Sequence, residues 1–336
     1  MAKQMFDDRP THREKRMKRD DITNQEILIT GGTGSLGTAL TKLLKTNYKP
    51  KGIRIYSRSE LNQFKMQEKL IKEDIGIENI SFLIGDIRDK QRLEMACNKV
   101  DVIINCAAMK RIDTCDSNPL ECINTNVLGV ENIIYAALRN RVMDVFHIST
   151  DKAVYPTTLY GSSKKCAEDI IKYANTYSAK RTPRFSCARY GNVFGSNGSV
   201  IQIFKEQAKS GELTITDQQM TRFWITLEKV AQFIIDCINE MMGGEIFIPK
   251  MPTMSITDIA KTISPEATLI FTGIRGMEKL HECLLTTEES RLTIDEKNQY
   301  IITEHNQKHQ QTWSYTSNMN DWQLTRDELR KMLEEL

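Results

Sequence analysis

The chain is predicted to adopt an α/β fold, a doubly wound parallel sheet with a smaller discontinuous C-terminal lobe, on three observations. Residues 26–30, 53–56, 80–84 and 102–105 are short apolar runs with the length and composition of strands buried on both faces. Stretches of helical apolar spacing separate them, as crossovers between parallel strands require. The first run leads straight into Gly31-Gly32-Thr33-Gly34-Ser35-Leu36-Gly37, followed by a helix carrying Leu36, Leu40, Leu43 and Leu44. Glycines at such a strand-to-helix turn let the backbone approach a pyrophosphate, and the helix amino end supplies N–H groups and a positive dipole. The sheet is therefore of the Rossmann type, with Gly31, Thr33, Gly34, Ser35, Leu36 and Gly37 as candidate cofactor contacts.

The second strand ends in Ser57-Arg58, where an NAD site would place a carboxylate on the ribose. A guanidinium there suits a 2′-phosphate, so NADP is favoured, with Ser57, Arg58 and Lys65 around it. Glu60 nearby pulls toward NAD. After the fourth strand, Cys106-Ala107-Ala108 are small enough for a dinucleotide to lie against the backbone, which makes Ala107 and Ala108 cofactor candidates.

The chemistry is expected at the end of a later strand, Phe146-His147-Ile148, which delivers Ser149-Thr150-Asp151-Lys152 to the sheet's carboxyl edge. Tyr160 and Lys164 follow four residues apart, in a stretch with helical spacing through Cys166, Ala167, Ile170 and Ile171. That spacing points both side chains the same way, so the Lys164 ammonium is expected to favour the Tyr160 phenolate. A strand over 185–190 should follow, and residues 244–249 should return to the main sheet after an excursion.

The domain reading is a polar, flexible extension over 1–25; a nucleotide-binding domain over 26–190, completed by about 224–250; a lobe over 191–223 and 251–300; and a C-terminal segment over 301–336. The last segment ends in a helix opened by a capping box, Thr325-Arg326-Asp327-Glu328. The 336 residues, 40% of them hydrophobic, suffice for a sizeable core. Lys+Arg 46 against Asp+Glu 44, a net charge of +2, argues against a dedicated nucleic-acid or membrane-surface binder. There is no apolar run near the roughly 20 residues of a membrane span and no signal-peptide core, so a cytoplasmic protein is expected. Eight scattered cysteines without a Cys-x-x-Cys pair suit a reducing compartment, and Cys97, Cys106, Cys166 and Cys237 lie in segments that read as core. His305 and His309 are four apart but lack acidic or cysteine partners, so no metal is expected.

Ser-Thr-Asp-Lys at 149–152, Tyr-Gly-Ser-Ser-Lys at 160–164, Arg-Tyr-Gly-Asn-Val at 189–193, Thr-Arg-Phe-Trp-Ile-Thr at 221–226 and Glu-Lys-Leu-His-Glu at 278–282 together resemble the soluble, inverting UDP-N-acetylglucosamine 4,6-dehydratases of the extended short-chain dehydrogenase/reductase family. The resemblance runs from about residue 26 to the end. It implies an enzyme, a hydro-lyase that oxidises carbon 4, eliminates water across carbons 5 and 6, and returns hydride to carbon 6. It further implies that Thr150, Tyr160 and Lys164 serve the oxidation, with Asp151 as acid and Lys152 as base, a lysine that must be neutral to act, which burial beside an NADP+ nicotinamide ring would favour. Asp86 and Ile87 would meet the adenine edge, and Asn126 would hold the active-site helix or a water near Lys164. Lys110, Asn192, Arg222, Arg275 and Glu278 would bind the sugar nucleotide, and a homo-oligomer, a dimer or hexamer, is implied. In one departure, Arg275-Gly276-Met277-Glu278-Lys279 stands where the family usually has Arg-Pro-Gly-Glu-Lys. Two rival readings are a UDP-sugar 4-epimerase, which needs no Asp151-Lys152 pair, and a non-catalytic NADP-binding regulator, which would not need Tyr160 and Lys164.

Overall fold

Buried apolar runs and amphipathic stretches alternate through the first half of the chain as β1 (Glu26–Thr30), α1 (Ser35–Leu43), β2 (Gly52–Ser57), α2 (Glu60–Lys72), β3 (Ile80–Ile84), α3 (Lys90–Ala96), β4 (Val102–Asn105), α4 (Ile112–Ser117), α5 (Pro119–Ile123), α6 (Gly129–Asn140), β5 (Asp144–Ile148), α7 (Leu159–Tyr173) and β6 (Arg184–Ala188). The second half adds β7 (Asn192–Val193), α8 (Val200–Gln207), β8 (Glu212–Ile215), β9 (Thr221–Ile225), α9 (Leu227–Glu240), β10 (Ile246–Pro249), β11 (Thr253–Ser255), α10 (Ile256–Ile263), β12 (Thr268–Phe271), β13 (Cys283–Leu285), α11 (Thr287–Ser290), β14 (Thr293–Asp295), β15 (Gln299–Ile302), β16 (Tyr315–Thr316) and α12 (Arg326–Glu334). The computed structural model describes residues 22–178, 182–196, 199–274, 276–304 and 312–334.

The main sheet has nine strands in the order β14-β15-β10-β6-β5-β4-β1-β2-β3. From β10 to β3 all neighbours are parallel. Ile27, Leu28 and Ile29 of β1 are fully buried, which is why the strand reads as a continuous apolar run rather than an alternation. Each such side chain contributes roughly 1.5–3 kcal/mol of burial free energy. Strand order reverses between β1 and β4, so the crevice for a ligand opens beyond their carboxyl ends.

A second core lies apart from the sheet, built from Phe194, Phe204, Trp224, Ile259 and Leu329 among others. The Phe194 and Trp224 rings stack at 4.7 Å. The terminal helix α12 joins this lobe through Leu329, and its capping box forms: Glu328 N donates to Thr325 Oγ1 at 3.2 Å, and Thr325 N donates to Glu328 Oε2 at 2.8 Å. The lobe does not extend to residue 300. β14 and β15 belong to the main sheet, β15 pairing antiparallel with the open edge of β10 and β14 with β15. Their short, partly polar sequences give no strand signal of their own until β10 offers an edge.

Cys97 and Cys237 are buried and Cys106 is half-buried, but Cys166 is exposed, on the solvent side of α7. Ala167 and Ile171 carry the buried stripe of that helix instead. Among the described residues no helix is long and apolar enough to cross a membrane, and no group of three or more His, Cys, Asp or Glu is placed to hold a metal. His305 and His309 lie outside the described residues.

Candidate active site

β5 runs out at Ile148, and the next four residues turn into the crevice. Thr150 caps a single 3-10 turn over Asp151–Ala153, its Oγ1 accepting from Lys152 N at 3.4 Å. The turn buries Asp151, whose Oδ1 accepts from Thr150 Oγ1 at 2.8 Å and from Lys152 Nζ at 3.1 Å. Among the described residues its buried Oδ2 has no hydrogen-bond partner, an expensive arrangement for a carboxylate and one that marks a site for a further donor. On its other side Lys152 Nζ lies 3.4 Å from Glu282 Oε1. Glu282 is itself buried, and its Oε2 also has no hydrogen-bond partner.

These carboxylates bear on the base expected at Lys152. Burial disfavours the Lys152 ammonium, but Asp151 and Glu282 outweigh it and hold the lysine protonated well above its ordinary range. Lys152 rests as an ammonium between two carboxylates, not as a neutral amine.

A correction concerns Tyr160 and Lys164. Helix α7 starts at Leu159 because Thr158 caps it, Thr158 Oγ1 accepting from Gly161 N at 3.2 Å. Tyr160 is buried, and desolvation pushes its phenol up to about 12 against the Lys152 ammonium and the Thr150 hydroxyl, both of which pull it down. The cation whose charge acts on the phenol is Lys152. Lys164 Nζ instead meets His147 Nε2 at 2.9 Å and donates to Ile148 O at 2.5 Å. Burial lowers its pKa to about 8. Spacing of i, i+4 fixes where two side chains leave the helix; it does not fix where a four-carbon stem ends when a neighbouring strand offers partners.

Asn126 stands inside a helical turn between α5 and α6, and its Oδ1 accepts from Met109 N at 2.8 Å. Its Nδ2 donates to Met109 O and to Ser163 Oγ, both at 2.9 Å. It pins the loop after β4 to the active-site helix. A buried ion pair ties that helix down from the other end. Arg189 is fully buried; its Nε donates to Glu168 Oε2 at 2.8 Å, its Nη2 to Glu168 Oε1, and the same guanidinium holds Glu289 Oε1 and Oε2 at 2.7 and 2.8 Å. Ser149 Oγ donates to Glu168 Oε2 at 2.9 Å. The network joins α7, the end of β6, the end of β5 and the cap of α11.

On the cofactor side, Gly31 has φ +62°, and a Cβ there would stand 2.8 Å from the Ala107 Cα. The turn therefore packs backbone to backbone against the loop that carries Ala107, as a dinucleotide cradle requires. Thr33, Ser35 and Leu36 are half-buried around it, Gly37 is buried, and no side chain caps α1 at Gly34. Ser57 is buried, its Oγ accepting from Gln63 Nε2 at 3.1 Å, while Arg58 and Lys65 are exposed. Arg58 Nη1 is 3.8 Å from Asp86 Oδ2, and Asp86 is held chiefly by Arg88 at 2.7 Å. Ile87 is buried, and Ala108 and Lys110 are exposed on the loop after β4.

On the substrate side, Asn192 lies in β7 opposite Trp224. Arg222 is buried and spends its donors on the strap over 278–282: Leu280 O at 2.9 Å, Lys279 O at 3.0 Å and Glu278 Oε1 at 3.3 Å. The same strap docks on the loop after the catalytic turn, Lys279 Nζ donating to Val154 O at 2.6 Å and Thr157 Oγ1 to Met277 O at 2.7 Å. Gly276 has φ +53°, which a proline could not adopt, so the departure from Arg-Pro-Gly is a different backbone path. Arg275 lies outside the described residues. Glu282 and His147 went unassigned in the sequence, although both stand inside quoted motifs.

Residues 27–304 match the family model described as polysaccharide biosynthesis protein. The chain belongs to that family. Within it, the chain is 45% identical over 284 residues to a UDP-N-acetylglucosamine 4,6-dehydratase (inverting) of Campylobacter jejuni subsp. jejuni, covering 84% of each chain. It is 39% identical over 279 residues to a UDP-glucose 4-epimerase of Rickettsia typhi, covering 80% of each. Among solved structures, Pen from Bacillus thuringiensis superposes with a TM-score of 0.85 at 34% identity, over 94% of this chain and 100% of that one. The dTDP-glucose 4,6-dehydratase DesIV from Streptomyces venezuelae, with NAD and TYD bound, shares the fold at a TM-score of 0.66 and 19% identity, over 76% of this chain and 86% of that one. The match to the family model takes in the turn over Asp151–Ala153, helix α7 and the strap that carries Glu282.

Proposed function

We propose that the chain is a UDP-N-acetylglucosamine 4,6-dehydratase that inverts carbon 5 and uses NADP. The observation that carries this reading is the Asp151–Lys152 pair beside Tyr160, its carboxylate buried and its ammonium half-buried, which an oxidation and re-reduction at carbon 4 alone would not need. The greater identity to the inverting dehydratase than to the epimerase supports it. The glycine turn fits a dinucleotide, and a bound nicotinamide would supply the acceptor and later the donor of hydride.

The chain's own residues do the rest. Tyr160, whose phenol is raised by burial against the opposing pull of Lys152 and Thr150, takes the proton of the carbon 4 hydroxyl. Moving one proton across 3.1 Å, from Lys152 Nζ to Asp151, turns the resting ion pair into a neutral base and a neutral acid. Covering the half-exposed Lys152 with the sugar favours that exchange, because it removes two charges from a closed site, and it works against the carboxylates that hold the resting ammonium. The amine then takes the carbon 5 proton made acidic by the carbon 4 ketone, and the Asp151 acid protonates the carbon 6 hydroxyl as water leaves. Both groups end in the charge states from which they began. Tyr160, still holding the carbon 4 proton, returns it to carbon 5 on the opposite face.

In heavy water, the expected product from UDP-N-acetylglucosamine is the UDP-linked 2-acetamido-2,6-dideoxy-4-ketohexose of L-arabino configuration, deuterated at carbon 5. Early-time proton NMR reads it. A D-xylo product at early times would reject inversion, and a carbon 4 epimer that keeps its carbon 6 hydroxyl would reject dehydration.

NADP preference rests on Arg58, which is exposed at the end of β2 with only a 3.8 Å contact to Asp86 and is open to a 2′-phosphate. Arg58→Ala is expected to weaken NADP by about 10- to 100-fold and NAD far less, since a charge-assisted hydrogen bond is worth roughly 1.5–3 kcal/mol. Titration of both cofactors checks this, and equal losses would remove Arg58 from the phosphate.

A further inference from the structure

Behind the catalytic turn runs a buried chain of polar side chains that the reaction above does not use. Thr30 Oγ1 lies 2.6 Å from Asn105 Oδ1, Asn105 Nδ2 lies 2.9 Å from His147 Nδ1, and His147 Nε2 lies 2.9 Å from Lys164 Nζ. All four residues are buried, and they sit on β1, β4, β5 and α7. Each has few atoms to offer, so the donors and acceptors can be followed along the chain.

Suppose the Asn105 carbonyl faces Thr30, as drawn. Its amide nitrogen then faces the ring and can only donate, so His147 Nδ1 must be bare. A neutral ring then carries its proton on Nε2 and donates it toward Lys164. An ammonium has no lone pair, so only a neutral Lys164 can accept. Now suppose the amide is turned over. Its carbonyl accepts from a protonated Nδ1, its nitrogen donates to Thr30, and the bare Nε2 accepts from the Lys164 ammonium. In both arrangements Lys164 keeps a hydrogen to give Ile148 O.

We propose that Thr30, Asn105 and His147 form a two-state chain that follows the charge of Lys164, with His147 as a positioning residue that offers a matched partner to both the ammonium and the amine. When Lys164 gives up a proton to solvent, the ring keeps one proton and shifts it from Nδ1 to Nε2, and the amide turns over. No buried donor or acceptor is orphaned in either state, so Lys164 changes charge without the penalty that a lost partner would add. The inference does not depend on which sugar the site transforms.

The surroundings allow such a titration. Burial keeps the His147 ring far below its ordinary pKa, and the Lys164 charge lowers it further, so it is a neutral, tautomer-switching group. Glu168, Cys106 and Cys187 face Lys164. Burial holds the Cys106 thiol at about 12 and that of Cys187 well above its ordinary value, so both stay neutral. Glu168 is engaged by Arg189.

The test is long-range proton–nitrogen NMR on full-length protein labelled with nitrogen-15 at its five histidines. One ring is expected to pass from Nδ1–H to Nε2–H as the pH rises through about 8, the Lys164 midpoint. Its resonances are assigned by their loss in His147→Gln and, independently, by their displacement in Asn105→Leu. Lys164→Met should abolish the crossing. A single His147 tautomer from pH 6 to 10, or a crossing that survives in Lys164→Met, would overturn the proposal.

Discussion

Asp151→Asn is expected to lower dehydration by about 10²- to 10⁴-fold, the usual worth of a positioned general acid, while hydride transfer from carbon 4 continues. The substitution keeps the volume and a carbonyl oxygen for Thr150 Oγ1, so the turn over Asp151–Ala153 survives. It removes the group that takes the proton of Lys152 and passes it to carbon 6. Tyr160→Phe should differ in kind, stopping both partial reactions. Lys152→Ala should also abolish dehydration, but it leaves Asp151 and Glu282 buried without the cation between them, so its turnover must be counted per folded molecule. Absorbance of the reduced cofactor separates oxidation from elimination. Near-normal dehydration by Asp151→Asn would remove Asp151 from the elimination step.

Arg189→Met is expected to cost about 3–5 kcal/mol of folding stability, because it strands Glu168 in the interior. Glu168 and Arg189 are both wholly buried, and one guanidinium serves two carboxylates and Leu284 O at 3.0 Å. Lys165, 3.5 Å from Glu168 and half-exposed, is a weak replacement. Urea unfolding reads the loss, and adding Glu168→Leu should recover part of it. The pH dependence has a definite sign. Burial raises the Glu168 carboxyl, but Arg189 outweighs it and leaves the folded pKa below the ordinary 4.5. Its contribution is present above the unfolded value and disappears as the pH falls through the folded one, so the difference between wild type and variant should shrink only on the acid side. A destabilisation below about 1 kcal/mol would mean that the interior tolerates the stranded carboxylate, as an exposed pair would allow.

The main sheet was legible because strands buried on both faces have no alternation to misread. β4, buried throughout, begins and ends where its apolar run does, as does the edge strand β3 although its residues are half-buried or exposed, and β10 returns to β6 as residues 244–249 suggested. β14 and β15 were not legible, since a strand added to an open edge is defined by the edge and not by its own residues. Cys166 misled for a related reason: thiols suit either face of a helix, and Ala167 with Ile171 had already filled the core side. At the site, Asp151, Lys152 and Tyr160 converge because one strand end and one capped helix place them. Lys164 diverges because His147 and Ile148 compete for its ammonium. Glu282 stayed unassigned because its partner belongs to a distant segment, and nothing local in Lys-Leu-His-Glu says which ammonium it will meet.

The strap over 276–282 sets an order of events during synthesis. Its contacts with the loop after the catalytic turn, together with that of Tyr155 Oη on Glu288, span 120 to 133 residues of chain. Closing so long a loop is slow, although its entropic cost grows only about 0.6 kcal/mol per doubling of length. Polypeptides emerge amino end first, and the nucleotide-binding turn, the Tyr160 helix and the seven parallel strands of the main sheet are all encoded before the strap. A nascent chain thus has the elements that cradle a dinucleotide well before Glu282 reaches Lys152. Until then the lysine has Asp151 alone as its counter-charge, and the ion pair stands open to water, where moving a proton from ammonium to carboxylate is unfavourable. On the proposed mechanism, reactivity toward the sugar is withheld until the last third of the polypeptide has folded back over the first two.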